Sequence, residues 1–294
     1  MALSFQEALS RCAAETDALL DRLLPLDAFP ARRVTQAMRY AALGQGKRLR
    51  PFLVVESSAL FGVPRKRALR AGAALECVHC YSLVHDDLPA MDDDDLRRGK
   101  PTAHRAFDEA TAILAGDALL TYAFDILADE ATHPDPHVRL KLVSGLSKAA
   151  GVAGMVGGQM LDIEAEARID SVLSDISLIQ SLKTGALFRY ACEAGAILGQ
   201  ADPAPLRHYA DKIGLAFQIA DDILDVESTP EALGKATQKD RIMGKATFVD
   251  LLGLAEAKRR AAALVDEAIA TLTIYSERGA VLAEAAKFIV QRRN

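Results

Sequence analysis

Along almost the whole chain, apolar residues recur three and four positions apart, as in Ala8, Cys12, Leu19, Leu20 and Leu23. That period puts them on one face of an α-helix, and no alternating run is long enough to read as a strand. Turn signals cut the pattern into segments of roughly 12 to 25 residues. They include Pro25, Pro30, Gly44-Gln45-Gly46, Gly62-Val63-Pro64, Asp135-Pro136, Asp202-Pro203 and Thr229-Pro230. The pattern argues against the alternating strand and helix order of an α/β sheet. The fold class expected is all-α, a bundle of ten or more helices packed as a single domain over residues 1–294.

Composition narrows the partners. Half of the residues are hydrophobic and 26% are charged, enough to build a core and too apolar for a disordered chain. The formal net charge is −5 and no arm is strongly basic, so nucleic acid is not an expected partner. The first twenty residues carry Glu7, Arg11, Glu15 and Asp17 where a signal peptide would have an apolar run. No uncharged stretch reaches the roughly 18 residues needed to span a bilayer. Four cysteines are too few for a disulfide scaffold. A soluble, cytoplasmic protein is expected.

Chemistry concentrates in two acidic clusters. Asp86, Asp87, Asp92, Asp93, Asp94 and Asp95 fall within ten residues, at the C-terminal end of a helix expected to begin near Arg67 and to end at Pro89. Asp221, Asp222 and Asp225 close a second helix, expected from about Leu206 to just before Thr229-Pro230. Acidic groups at a helix C-terminus oppose the macrodipole, at about 0.3–1 kcal/mol each where exposed, and crowding adds repulsion. A solvated acidic surface would account for one such cluster. Two, each after an apolar helix, point to a compensating cation. Oxygen-only donors suit a hard cation such as Mg²⁺, which shares carboxylates with substrate phosphates. His79, Ser82 and Asp86 form a polar stripe about 60° wide on the first helix. Because the rest of that helix is apolar, the stripe is expected to line a cavity.

Cationic residues stand where phosphates would meet them. Lys47 and Arg50 follow a glycine turn, Arg97 and Arg98 follow the first cluster, and Lys183-Thr184 and the lysines 235, 239 and 245 follow further on. Taken singly, each would be an ordinary surface charge. Their position beside the acidic clusters suits phosphate contacts.

These motifs occur in one order. Asp86-Asp87-x4-Asp92 with Leu96-Arg97-Arg98-Gly99, then Asp221-Asp222-x2-Asp225, resemble the two aspartate-rich motifs of the trans-prenyl diphosphate synthases. Gly46-Lys47-Arg48-Leu49-Arg50-Pro51, Gly157-Gly158-Gln159-x2-Asp162, Lys183-Thr184 and Phe217-Gln218 match the same family. The resemblance covers about residues 40–250 and is nearest to the bacterial branch that makes farnesyl diphosphate. It implies an isoprenoid-synthase-type bundle around a central cavity, usually a homodimer, joining isopentenyl diphosphate head to tail to dimethylallyl or geranyl diphosphate.

By that resemblance Asp86, Asp92 and Asp221 would bind Mg²⁺, three ions in all with Mn²⁺ as an alternative, supported by Asp87, Asp222 and Asp225. Arg97, Lys183, Lys235 and Lys245 would hold the allylic diphosphate. Lys47, Arg50, His79 and Arg98 would hold isopentenyl diphosphate. Thr184 and Gln218 would sit by the allylic cation, and no side-chain base is implied. Tyr81 and Ser82, just before the first motif, would form the floor that stops the product at C15. On an ideal wheel, however, Tyr81 points about 140° away from Asp86, which leaves a packed core tyrosine open as the alternative.

Other motifs are set aside. Cys77-Val78-His79-Cys80 has no second pair to complete a zinc site. Gly44-Gln45-Gly46-Lys47 lacks the Gly and Ser/Thr of a phosphate loop. The glycines at 151, 154, 157 and 158 suit close helix packing, and the tail 291–294 is expected to be a solvated end, with a flap that contacts isopentenyl diphosphate as the alternative. Within the implied class, C10 and C20 products remain alternatives. A terpene cyclase would not need Lys47, Arg50, His79 and Arg98. A non-catalytic helical subunit would have no use for both aspartate motifs.

Overall fold

The computed structural model describes residues 4–27, 30–43, 46–166, 172–227 and 247–291. Lys235, Lys239, Lys245, the Gly44-Gln45 turn, Thr229-Pro230 and residues 292–294 lie outside the described residues.

Short polar residues cap four of the helices among the described residues. Ser4 opens α1 (Phe5–Leu23) with a capping box, its hydroxyl accepting from the Glu7 amide while Glu7 accepts from the Ser4 amide. The helices α2 (Arg32–Ala42), α3 (Leu49–Ala59) and α4 (Arg65–Asp86) follow. After the short α5 (Ala103–Ala106), Asp108 caps α6 (Glu109–Ala128), accepting from the Thr111 amide at 2.7 Å. Asp135 caps α7 (Pro136–Ala150), which has proline in its first turn. Then come α8 (Met155–Glu166), α9 (Leu173–Gln180), a π-helical turn over Ser181–Gly185, α10 (Ala186–Leu198) and α11 (Ala204–Glu227). A second capping box, Thr247 with Asp250, starts α12 (Phe248–Leu252), and α13 (Leu254–Thr271) and α14 (Ala280–Gln291) end the described chain. The fold is all-α, with fourteen α-helices among the described residues.

Strand was not expected, yet two two-residue strands, Leu96–Arg97 and Lys100–Pro101, pair antiparallel. They are too short to show an alternating pattern. The turn makes them: Arg98 and Gly99 both have positive φ, 53° and 75°, as a tight two-residue hairpin requires.

Helix α4 is the central post, packed along α6 on one side and α3 on another. Ala71, Ala73, Ala74, Leu75, Cys77 and Val78 on it are fully buried, as a helix apolar nearly all round should be. Most buried apolar residues from Ala8 to Ile289 form one continuous cluster, beside a small second one of Val84, Leu88, Ala103 and Ala112. Two buried tyrosines tie outer helices to it, Tyr190 donating to the Leu142 carbonyl and Tyr209 to that of Leu282. Among the described residues, α6 alone is long and apolar enough to cross a bilayer. It carries Asp117 and Asp125 and lies against α4 and α2.

Candidate active site

The two acidic helix ends face one cavity of about 1170 Å³. Asp86 and Asp92 line it from the end of α4 and the loop beyond, and Asp221 and Asp225 line it from α11. The four residues between Asp87 and Asp92 let the chain fold back on its own helix. The Asp92 amide donates to the Asp86 carbonyl at 2.8 Å and the Asp94 amide to that of Asp87 at 3.2 Å. The helix's last carbonyls are thereby capped, and Asp92 stands beside Asp86.

Burial raises the Asp86 carboxyl to about 6, against the pull of Lys183 and with Asp92 adding to the rise. A cation would reverse that effect. Among the described residues no group of three or more His, Cys, Asp or Glu side chains is placed to hold a metal ion by itself. The donors are all oxygens and are divided between two helix ends. This set fits Mg²⁺ that keeps open positions for water and phosphate oxygens.

Cations line the same cavity. Lys183 projects from the π-helical turn, a distortion common at functional sites, and its Nζ lies 2.7 Å from Asp162 Oδ2 on α8. The approach of α8 requires Gly158, where a Cβ would stand 2.2 Å from the Lys183 backbone nitrogen. Arg50 enters from α3 with its guanidinium over the Phe188 ring, 5.0 Å from the centroid. Its buried Nε has no hydrogen-bond partner, a donor that an anion in the cavity would satisfy. Arg50 Nη1 lies 3.4 Å from His79 Nε2. Burial first, then Arg50 and Arg98, hold His79 well below the ordinary imidazole range. The ring is neutral, and Nε2 accepts from the guanidinium.

Not every expected residue reaches this cavity. Arg97 lines it, but Arg97 also grips Asp87, with Nε 2.6 and 2.9 Å from the two carboxylate oxygens. Asp87, 3% exposed, lines a separate cavity of about 70 Å³ together with Arg98. Asp222 turns aside to accept the Phe248 amide at 2.7 Å, fastening α11 to α12. Lys47 is not on the cavity wall; its Nζ lies 5.7 Å from the Phe288 ring centroid. Thr184 and Gln218 line the wall, as does Gln159.

Tyr81 lines the cavity together with Ser82 and is only 6% exposed. Burial and then Asp86 push its phenol up to about 12, so it is neutral. The ideal wheel understated its reach, because the cavity spreads across more of α4 than one helical stripe.

Some features had no signal in the sequence. In the sequence Arg48 is only one letter of the motif from Gly46 to Pro51, with no role of its own. Its side chain is fully buried, bonded to Glu76 at 2.6 Å, Asp17 at 2.8 Å and the Ala42 carbonyl at 2.6 Å. The π-helical turn under Lys183 was likewise invisible.

Residues 31–283 match the polyprenyl synthetase family. The chain is 44% identical to the farnesyl diphosphate synthase of Escherichia coli, over 99% of each chain. It is 41% identical to a geranylgeranyl diphosphate synthase of Cyanophora paradoxa, over 89% of this chain and 88% of that one. A solved structure of an FPP/GFPP synthase from Zymomonas mobilis superposes with a TM-score of 0.90 at 50% identity, covering 99% of this chain and all of the other.

Proposed function

The chain belongs to the polyprenyl synthetase family and is a prenyltransferase, and from that premise we propose the following reaction. It condenses isopentenyl diphosphate head to tail with dimethylallyl and then geranyl diphosphate, giving (E,E)-farnesyl diphosphate (C15) and diphosphate. The observation that carries this reading is one cavity bearing carboxylates from two helix ends, with a buried tyrosine in its wall.

Asp86, Asp92, Asp221 and Asp225 would hold Mg²⁺, which when bound neutralises charge gathering on the departing diphosphate. Lys183, steadied by Asp162, adds a fixed positive charge on the same group, and Arg97, clamped by Asp87, stands beside it. Arg50 and His79 take the diphosphate of isopentenyl diphosphate: Arg50 Nε is the open donor, and the neutral His79 imidazole, accepting from Arg50 Nη1, orients the guanidinium. Lys47 and Arg98 would reach the same group from outside the main wall. Thr184 and Gln218 face the reacting carbons. Apolar wall residues such as Leu187 and Phe217 exclude water from a carbocation that water would quench. Tyr81 and Ser82 close the path of the growing tail.

The same proposal includes a single domain, a homodimer and a cytoplasmic location. Ile113 and Leu114, 43% and 53% exposed on α6, offer an apolar face to a second copy. Four free, buried cysteines suit a reducing compartment.

The test is mass spectrometry of products from purified protein, labelled isopentenyl diphosphate and Mg²⁺, primed separately with C5 and C10 allylic diphosphates. A C15 product from both primers is expected. C20 or longer products would overturn the length assignment and keep the chemistry. Consumption of allylic diphosphate without condensation would favour a cyclase.

A further inference from the structure

Neither aspartate motif nor any diphosphate contact uses His85, yet its imidazole lines the cavity beside Tyr81. The two residues are one helical turn apart on α4, and their rings meet edge to face, centroids 5.8 Å apart at 81°. On its other side, His85 Nε2 lies 3.0 Å from the Ile113 carbonyl oxygen on α6. A carbonyl only accepts, so this nitrogen carries the proton. Asp117 Oδ1, 3.9 Å from the same nitrogen, lies on the same helix. The ring fits there because residue 116 is glycine: a Cβ would stand 2.1 Å from Nε2 and 2.4 Å from Cδ2. A carbonyl and a glycine of α6, the imidazole and the phenol thus form one stack running from α6 into the cavity wall.

We propose that His85 is a positioning residue for product length. Seated over Gly116 and bonded to Ile113, it fixes the Tyr81 ring across the path of the growing isoprenoid tail. The proposal rests on the C15 reading above. Tyr81 alone could swing about its side-chain torsions and let a longer tail pass. The imidazole edge and the hydrogen bond behind it remove that freedom.

The experiment measures the C20-to-C15 product ratio under identical priming in the native chain, His85→Ala, Tyr81→Ala and the double variant. His85→Ala is expected to raise the ratio about tenfold, the combined worth of one edge-to-face contact and one hydrogen bond. In the Tyr81→Ala background the same substitution is expected to change nothing further, since the ring it holds is gone. An unchanged ratio in His85→Ala overturns the proposal. So does an equal rise in both backgrounds, which would make His85 a wall in its own right. Loss of packing alone would lower turnover without moving the ratio. Should His85→Ala give no turnover, His85→Phe keeps the ring edge and drops the bond to Ile113. It is expected to raise the ratio about threefold, and no rise there overturns the proposal. The underlying reading fails separately: it falls if the native chain makes no C15 product. If Tyr81→Ala still stops at C15, the floor and the proposal fall while the reaction stands.

Discussion

Replacing Arg48 by methionine tests whether the segment that carries Lys47 and Arg50 is held by a buried charge. The Arg48 side chain has no exposed surface and that of Glu76 has 4%. Burial is the largest influence on Arg48 and works against its charge, yet Glu76 raises its pKa above the ordinary value. Methionine fills much of the volume but leaves the Glu76 carboxylate without its counter-charge and the Ala42 carbonyl without a donor. Stranding one member of a buried pair costs about 3–5 kcal/mol. An unfolding entropy of about 2.1 cal/mol/K per residue gives roughly 0.6 kcal/mol/K for this chain, hence a fall in Tm of about 5–8 °C. The assay is thermal and urea unfolding followed by far-UV circular dichroism, for Arg48→Met, Glu76→Gln and the pair. The pair should lose much less than the sum of the singles, because neither charge is then stranded. A loss below about 1 kcal/mol for Arg48→Met, or strict additivity, would refute the reasoning.

Four further outcomes are expected. Asp162→Asn releases Lys183, and kcat/KM for the allylic diphosphate should fall roughly ten- to hundredfold in steady-state assays, with little change in Tm. A Cβ at Gly46 would stand 2.6 Å from Arg98 Nη1; since that is the end of a flexible side chain, Gly46→Ala should raise KM for isopentenyl diphosphate while leaving the unfolding midpoint nearly unmoved. Asp108 has its pKa lowered to about 2, chiefly by the Thr111 amide and then by Arg33. Its contribution is therefore full above the unfolded value of 3.8 and is lost as pH falls toward 2, so Asp108→Asn should flatten the fall in urea midpoint below pH 4. All four cysteines are free and buried, and burial pushes Cys12, Cys80 and Cys192 up to about 12. A thiol reagent at neutral pH should leave the folded chain unlabelled and modify four sites in urea.

Much of this protein was decided locally. The recurrence of apolar residues and the prolines and glycines between segments each act over a few residues through backbone torsion and hydrogen bonding. They are therefore legible in the chain itself. So were the two aspartate clusters, because charge at a helix C-terminus is anomalous wherever the helix lies. What the chain alone left open was direction. Lys47, Arg48 and Arg50 sit within four positions, yet one meets a phenylalanine ring at the surface of the bundle, one is buried against Glu76 and one faces the cavity. Asp221 faces the cavity and Asp222 caps the neighbouring helix. Tyr81 reaches a wall that its wheel position denied it, edge to face with a histidine whose seat is a glycine on another helix. A side chain's partner across helices depends on where distant backbones approach and which side chains are small enough to allow it. That complementarity exists only once the helices are packed, so only the tertiary structure could decide it.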